Sequence, residues 1–193
     1  MKQSCMMIVG VGGQGSLLAS NLIGHVLLES GYDVKLSEVH GMSQRGGSVV
    51  TYVKYADKVY SPIVELGEAD YILAFEQMEA ARYLGYLKPG GKMILNTQQI
   101  YPMPVITGAA AYPADIPGRL AQSADVLALD ALALAQQAGN ARAVNIVLTG
   151  VLSAAMDIPL QQWMDALTAV VPARFLDVNV RAFTLGREFA QSK

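Results

Sequence analysis

Residues 8–15 read IVGVGGQG, in which two β-branched residues precede four glycines within six positions. Gly10, Gly12 and Gly15 fit the spacing G-x-G-x-x-G, at which a strand turns sharply into a helix beneath a pyrophosphate. The apolar run at 5–10 is typical of a parallel strand that is covered on both faces. We therefore predict a strand, a glycine loop and a helix, with an anion at the helix N-terminus near Gly12 to Gly15.

The length of 193 residues predicts a single domain of α/β size over residues 1–193, with a small C-terminal extension possible. The composition predicts that this domain buries part of its surface against a partner. Charged residues make up 16% of the chain, against about 25% in an average soluble domain. The formal net charge is −2 and no block of like charges occurs, which argues against a nucleic-acid partner and against an anionic membrane surface. An Ala-rich core in a monomer is the alternative explanation of so apolar a chain.

Cysteine and histidine are too few for the common metal sites. Cys5 is the only cysteine, so the chain can hold neither an iron–sulfur cluster, which needs about four ligands, nor an intrachain disulfide. Only two histidines are present, which disfavours a zinc site. The N-terminal segment lacks a signal-peptide pattern, and no uncharged apolar run reaches the roughly 20 residues needed to span a bilayer. We expect a cytoplasmic protein with no membrane segment.

The apolar patterns farther along the chain predict an α/β fold: a Rossmann-like, mostly parallel sheet with an inserted β-hairpin and a helical C-terminal third. A helix follows the glycine loop as far as Gly31, residues 56–58 are predicted to form the turn of the hairpin, and KPGG at 88–91 is predicted to form another turn. Further strands are predicted at 34–39, 70–75, 92–97, 105–108 and 126–129.

The most specific feature is the loop SEVHGMSQRGG at 37–47. It follows the second strand, at the edge of the sheet where the glycine loop also lies. Arg45 beside Gly46 and Gly47 offers a guanidinium next to exposed backbone N–H groups, which suits a phosphate or a carboxylate. The alternative is a tight bend whose arginine pairs with Glu38 or another nearby carboxylate.

Among five other residues, Glu38 and His40 each have a functional and a structural interpretation, and Cys5 has a structural one. Asn145 and Gly150 have a structural interpretation with a ligand role as the alternative. Glu38 suits the ribose-binding acid of a nicotinamide enzyme, or a solvated strand end. His40 suits a general acid or base, or a hydrogen-bonded surface residue. Cys5 lies in an apolar strand and is predicted to be inert core. In the apolar helix VNIVLTGVL, Asn145 is predicted to make a buried hydrogen bond or a cap, and Gly150 to permit a close helix contact.

Four segments together resemble one family: GVGGQG at 10–15, SEVHGMSQRGGSV at 37–49, GEADYILAFEQMEA at 67–80 and AVNIVLTGVL at 143–152. They are similar to the gamma-type domain of the 2-oxoacid:ferredoxin oxidoreductases, and within that family to the small-subunit type that acts on indolepyruvate. The resemblance covers nearly the whole chain. The first two segments in this order are much more specific than a glycine pattern alone.

The resemblance implies a shared reaction. Such complexes decarboxylate a 2-oxo acid on thiamine diphosphate, pass electrons through iron–sulfur clusters to ferredoxin, and release an acyl-CoA. This chain has neither the Gly-Asp-Gly thiamine signature with its metal-binding Asn nor the cysteines for a cluster. The resemblance therefore implies that thiamine diphosphate, Mg and the clusters lie on a larger partner subunit, and that this chain is a non-cluster subunit that is inactive alone.

The resemblance also implies a site for the CoA diphosphate, with backbone N–H groups from the glycine loop and countercharge from Arg45. The implied cofactor-binding residues are Gly10, Gly12, Gly13, Gln14, Gly15, Ser43, Gln44, Arg45, Gly46 and Gly47. Three alternatives stay open from the residues: loops that only pack on the partner around its thiamine site, an independent NAD(P)-binding Rossmann-like oxidoreductase, and a purely structural subunit.

Overall fold

The fold is α/β and is built around one β-sheet in this computed structural model, which describes residues 4–40 and 47–193. Within those residues the strands are β1 (Ser4–Val11), β2 (Asp33–His40), β3 (Ser48–Ala56), β4 (Ala69–Ala74), β5 (Leu87–Asn96) and β6 (Asp125–Leu129). Their order across the sheet is β2-β3-β1-β4-β5-β6. β1 pairs in parallel with β4, β4 with β5 and β5 with β6, whereas β3 is antiparallel to both of its neighbours. The predicted mostly parallel sheet is confirmed.

Helices follow the strands and fill the C-terminal third, as predicted. They are α1 (Ser16–Glu29), α2 (Gln77–Tyr83), α3 (Met103–Ile106), α4 (Ile116–Ala121), α5 (Ala131–Ala138), α6 (Val144–Ala155), α7 (Leu160–Val170) and α8 (Ala173–Gln191). Short 3-10 turns at 84–86 and 141–143 complete the regular structure of the described residues. In this part of the chain, no helix combines the length and the apolar character needed to cross a membrane.

The inserted hairpin exists, but its predicted position was wrong. Residues 56–58 do not turn one strand back on another; β3 is a single strand that ends at Ala56, and the segment at 57–68 holds no strand. The antiparallel hairpin consists instead of β2 and β3, which pair from Asp33 with Ala56 to His40 with Val49. β3 sits between β2 and β1 and is largely buried, which its run of β-branched and aromatic residues suits.

Two smaller predictions also need correction. Residues 105–108 are not a strand, because Met103–Ile106 forms a helical turn that starts after Pro102; proline at the first helical positions is favourable since its missing N–H is not needed there. The KPGG segment does not separate two elements, because β5 already begins at Leu87. It is an irregularity within that strand, where the register against β4 shifts.

The two faces of the sheet carry very different cover. On one face, alternate strand residues such as Met6 and Ile8 pack against α1 and α5 to α8. On the other face, the intervening residues Met7 and Val9 pack mainly against the short helices α2 and α4. We call these the α1 face and the α2 face. The period-two alternation along β1 divides its side chains between them.

The α1 face has a close helix crossing that fits the prediction for Gly150. A Cβ added there would lie 2.1 Å from the carbonyl oxygen of Phe183 in α8. A Cβ added at Gly186 in α8 would lie equally close to the carbonyl oxygen of Val147 in α6. The backbones of α6 and α8 therefore touch across a pair of glycines, and neither position has room for a side chain.

Candidate functional site

The glycine loop lies at the carboxyl edge of the sheet and leads directly into α1. Gly15 has φ +82° and is the N-cap residue of that helix, and no side chain caps the helix there among the described residues. A Cβ at Gly15 would lie 2.7 Å from Asn145 Nδ2. Both the left-handed backbone and the close approach therefore require glycine.

The side chain of Gln14 holds the glycine loop onto the sheet. Its Oε1 accepts a hydrogen bond from the Val11 N–H at 2.7 Å. Its Nε2 donates to the Phe75 carbonyl at 3.0 Å and to Gln98 Oε1 at 3.1 Å. Gly10 leaves the room for this amide, since a Cβ there would lie 2.8 Å from Gln14 Oε1. The side chain of Gln14 is thus a brace for the loop.

Only part of the predicted anion cradle remains available for a ligand. The Gly12 N–H donates to the Gly47 carbonyl at 2.9 Å, and the Gln14 N–H donates to the Val11 carbonyl at 3.2 Å. Within the described residues, the N–H groups of Gly13 and Gly15 have no such partner. Together with the first turn of α1, these two groups form the part of the loop suited to an anion.

Asn145 supports the same loop from α6, as the hydrogen-bond prediction for it requires. It is buried, and its Nδ2 donates to the Gly15 carbonyl at 3.1 Å. Its Oδ1 accepts from the Ile146 N–H at 2.9 Å. The apolar helix in the C-terminal third thus supports the glycine loop near the start of the chain.

Ser48, the first residue of β3, is hydrogen-bonded to a side chain of α2 on the α2 face. Ser48 pairs with Val11 at the end of β1, and its hydroxyl donates to the Oε2 atom of Glu79. The Oε1 atom of Glu79 accepts from Arg82 Nε at 3.2 Å. Glu79 is only 5% exposed, and each of its carboxylate oxygens accepts a hydrogen bond from one of these two partners.

A second buried carboxylate, Glu76, organises the neighbouring loop. Its Oε2 accepts from the Glu79 N–H at 3.0 Å and so caps α2. Its Oε1 accepts from the Ile100 N–H at 3.1 Å and from the Tyr112 hydroxyl. Burial, followed by the hydrogen bond to Glu76, raises the pKa of Tyr112, which therefore stays protonated and can donate.

Two depressions flank the strand ends that the glycine loop joins. One, of about 330 Å³, lies on the α1 face and is lined by Gly12, Gly13, Gly15, Ser16, Leu17, Glu38 and Val49. The other, of about 310 Å³, lies on the α2 face, where Ser48, Glu79 and Arg82 meet the apolar side chains of Tyr101, Met103 and Ile106. The first combines helix N–H groups with a carboxylate, whereas the second is a mainly apolar groove with a charged floor.

The structure brings together part of the predicted site. Gly47 meets the glycine loop through the Gly12 N–H, and Glu38 lines the same depression as Gly13. Ser43, Gln44, Arg45 and Gly46 lie outside the described residues, as does the side chain of His40.

Cys5 is core, as predicted, and does not contribute to a metal site. Its thiol lies 3.1 Å from the Glu68 carbonyl, to which it donates, and burial raises its pKa to about 11. Among the described residues, no group of three or more histidine, cysteine, aspartate or glutamate side chains is placed to hold a metal ion.

Sequence reasoning did not assign roles to Glu76, Glu79 or Ser48. Both glutamates lie in the 67–80 segment that carries the family resemblance, and the serine lies in the 37–49 segment. Glu76 caps α2 although glutamate is not among the residues favoured at an N-cap, so the usual capping pattern does not identify it. No local pattern indicates that the Glu79 side chain, on α2, accepts a hydrogen bond from a residue of β3.

Comparison with known proteins gives a consistent result. The profile of the family described as pyruvate ferredoxin/flavodoxin oxidoreductase matches residues 5–189. The indolepyruvate oxidoreductase subunit IorB of Thermococcus kodakarensis is 44% identical over 197 residues, which cover 99% of this chain and 98% of the relative. The subunit of the same name from Archaeoglobus fulgidus is 36% identical and covers 94% of this chain and 92% of its own.

Solved structures agree on the fold. The gamma subunit of a keto/oxoacid ferredoxin oxidoreductase from Geobacter sulfurreducens superposes with a TM-score of 0.74 at 23% identity, covering 98% of this chain and 99% of that one. A 2-oxoglutarate:ferredoxin oxidoreductase from Magnetococcus marinus, with 2-oxoglutarate, coenzyme A and succinyl-CoA bound, gives a TM-score of 0.77 at 20% identity. This match covers all of the present chain and 32% of the other, so the same fold also occurs as part of a longer polypeptide.

Proposed function

Since the chain belongs to the pyruvate ferredoxin/flavodoxin oxidoreductase family and is a partner-dependent subunit of such an enzyme, we propose that its complex oxidises indolepyruvate or a related aryl pyruvate. The product is an acyl-CoA and the electron acceptor is ferredoxin. The observation that carries the substrate is the end-to-end match, at 44% identity, to a subunit named for indolepyruvate. We also propose a cytoplasmic location, in keeping with a ferredoxin-linked reaction.

The redox cofactors in this proposal belong to the larger subunit. Cys5 is the only cysteine of the chain; its thiol is buried, is hydrogen-bonded to a carbonyl and has a pKa of about 11. Metal ligation needs a thiolate, so this residue is unsuited to hold a cluster. We propose that the partner binds thiamine diphosphate, Mg and the iron–sulfur clusters.

The glycine loop is our proposed anchor for the CoA diphosphate. CoA supplies the thiol that accepts the acyl group. The N–H groups of Gly13 and Gly15 and the uncapped first turn of α1 would hold the diphosphate, because the helix dipole is positive there. Glu38 lines the same depression, and a carboxylate there disfavours an anion unless a cation lies nearby. We propose that Arg45 provides this charge, within the loop Ser43, Gln44, Arg45, Gly46 and Gly47.

The main experiment is an assay of the anaerobically co-produced complex with a larger subunit. Viologen reduction is followed with indolepyruvate, pyruvate and 2-oxoglutarate, each with and without CoA. We expect CoA-dependent reduction with indolepyruvate and little with the other two acids. Preference for one of the other acids would refute the substrate, and the same rates without CoA would refute acyl-CoA formation.

The assignment of Arg45 has its own test. Arg45→Ala removes the proposed countercharge, so we expect the KM for CoA to rise by about tenfold with little change in the KM for the 2-oxo acid. Lys58→Ala is the matched control, since Lys58 is an exposed cation near Asp33 at the opposite edge of the sheet. An unchanged KM for CoA in Arg45→Ala would remove this residue from the site.

The second candidate function is that of an independent nicotinamide-dependent oxidoreductase, and it has its own test. It is tested by titrating the chain with NADH and following fluorescence. Micromolar binding that Glu38→Gln weakens would favour nicotinamide binding at the glycine loop over the CoA proposal. No binding up to millimolar NADH is the result that the family assignment leads us to expect.

A further inference from the structure

The buried carboxylate of Glu79 connects α2 to the start of β3, next to the glycine loop. Glu79 belongs to the first turn of α2, but Glu76 already caps that helix by accepting the Glu79 N–H. The Glu79 side chain instead leaves its own helix and accepts a hydrogen bond from Ser48 on β3. Burying a carboxylate is costly unless it is paired, so the two partners of Glu79 decide whether this arrangement is stable.

The hydrogen bonds continue from Glu79 to the glycine loop. Ser48 stands opposite Val11 in the β1–β3 pairing. The preceding carbonyl, that of Gly47, accepts the Gly12 N–H at 2.9 Å. The Tyr83 hydroxyl lies 3.4 Å from Ser48 Oγ and adds a second contact from α2. One end of the loop is thus fixed through β3, while the Gln14 side chain fixes the other end to Phe75 and Gln98, which follow β4 and β5.

We propose that Glu79 is a positioning residue: through Ser48 and Gly47 it fixes the Gly12 N–H and thereby sets how the N–H groups of Gly13 and Gly15 face their anion. This inference rests on the proposed CoA function for its consequence, but not for its geometry. Neither oxygen of Glu79 is spare, because Oε2 serves Ser48 and Oε1 serves Arg82. A single amide oxygen cannot replace both.

The test uses three variants in the co-produced complex. Glu79→Gln leaves one acceptor oxygen for two donors and removes the charge, and Ser48→Ala removes the hydroxyl; both weaken the connection, whereas Ser48→Thr keeps the hydroxyl. Glu68→Gln is the matched control, because Glu68 also pairs with a buried cation, Lys54, at 2.8 Å, but at the opposite edge of the sheet. Hydrogen–deuterium exchange of the peptide that spans 10–15 reports the geometry without any ligand.

Losing a hydrogen bond to a charged group is expected to speed exchange of this peptide about tenfold in Glu79→Gln and Ser48→Ala. The KM for CoA is expected to rise about fivefold in both variants. This rise is smaller than the one expected from losing a direct charge-assisted contact with CoA. The KM for the 2-oxo acid and kcat at saturating CoA stay within twofold. Ser48→Thr and Glu68→Gln match the wild type in both measurements.

Three other outcomes are informative. Unchanged exchange in both Glu79→Gln and Ser48→Ala overturns the positioning role, whatever the kinetics. Faster exchange with an unchanged KM for CoA, or with equal changes in both KM values, overturns its consequence for the anion. A wild-type complex that shows no dependence on CoA refutes the proposed function instead, and the exchange data then still decide whether Glu79 positions the loop.

Discussion

The two faces of the sheet differ in how they are built and in what they contribute. The α1 face is covered by five helices and buries Trp163 and Phe183 completely. The α2 face is covered mainly by two helices of seven and six residues. Beside them, Tyr101 and Met103 remain more than half exposed. Large buried apolar area stabilises a fold, so we expect the α1 face to supply most of the stability.

The α2 face, in contrast, supplies polar contacts to the site. Glu76 and Glu79, both nearly fully buried, use their carboxylates to hold strand ends and loops rather than to fill volume. Asn145 is the corresponding polar contact from the α1 face. The glycine loop therefore sits where a tightly packed layer meets a thinner one, and the following substitutions test that difference.

The largest effect is expected at the α6–α8 crossing. Gly150→Ala places a methyl group 2.1 Å from a backbone oxygen, so the helices must separate and stability should fall by about 3 kcal/mol or more. Gly85→Ala on the α2 face is the control, since its Cβ would meet only Leu66 at 3.7 Å; we expect it within about 1 kcal/mol of wild type. Urea denaturation measures both, and similar losses would contradict the comparison.

Next in size is a matched pair of leucines. Leu152→Ala removes a side chain fully buried on the α1 face, and Leu120→Ala removes a side chain of α4 that is 4% exposed on the α2 face. We expect losses of about 3–5 kcal/mol and about 2–3 kcal/mol, because a thin layer collapses more easily around a cavity. An equal or reversed order would show that the α2 face is packed as rigidly as the other.

The glycine loop itself should show a smaller difference. Gly13 and Gly15 both have positive φ, but a Cβ at Gly13 meets no atom within 4 Å, whereas one at Gly15 meets Asn145. Gly13→Ala is expected to cost about 1 kcal/mol. Gly15→Ala should cost about 1 kcal/mol more, because the Asn145 hydrogen bond is also lost. Thermal denaturation of the two variants tests this, and Asn145→Ala should remove most of the difference between them.

The smallest effect concerns the thiol of Cys5, which faces the α2 layer. Burial raises its pKa from 9.0 to about 11, so its contribution to stability is complete below pH 9 and is lost as the pH rises toward 11.

At pH 8 we expect slow labelling of the Cys5 thiol by a thiol reagent. Leu120→Ala should speed labelling a few-fold more than Leu152→Ala, although it destabilises the protein less. Cys5→Ser provides the unlabelled control, and the opposite order would contradict a more easily opened α2 face.

Local patterns were sufficient for most elements of the fold. The runs of consecutive apolar residues at 5–10 and 70–75 correspond to central strands, since burial of a strand on both faces requires such runs. The segments near 34–39 and 126–129 correspond to the two edge strands, which are less buried. The positions 105–108 failed because Val105 and Ile106 favour a strand locally, while Pro102 and Pro104 started a helical turn. The hairpin failed because strand-like residues on both sides of 56–58 do not reveal which strands pair.

The sequence also indicated the glycine loop, the family and the subunit character, but not which groups stay available at the site. Gln14 belongs to the glycine motif, yet its amide braces three segments; Glu79 lies 31 residues from the serine that it holds.

Composition, periodicity and motif spacing are properties of neighbouring residues, so the sequence by itself determined the elements, the single-cysteine limit and the family. Strand order, the insertion of β3 between β2 and β1, and the pairing of Glu79 with Ser48 were decided only by the tertiary structure. These features depend on contacts between residues distant in the chain, and such contacts form only when both faces of the sheet are covered together.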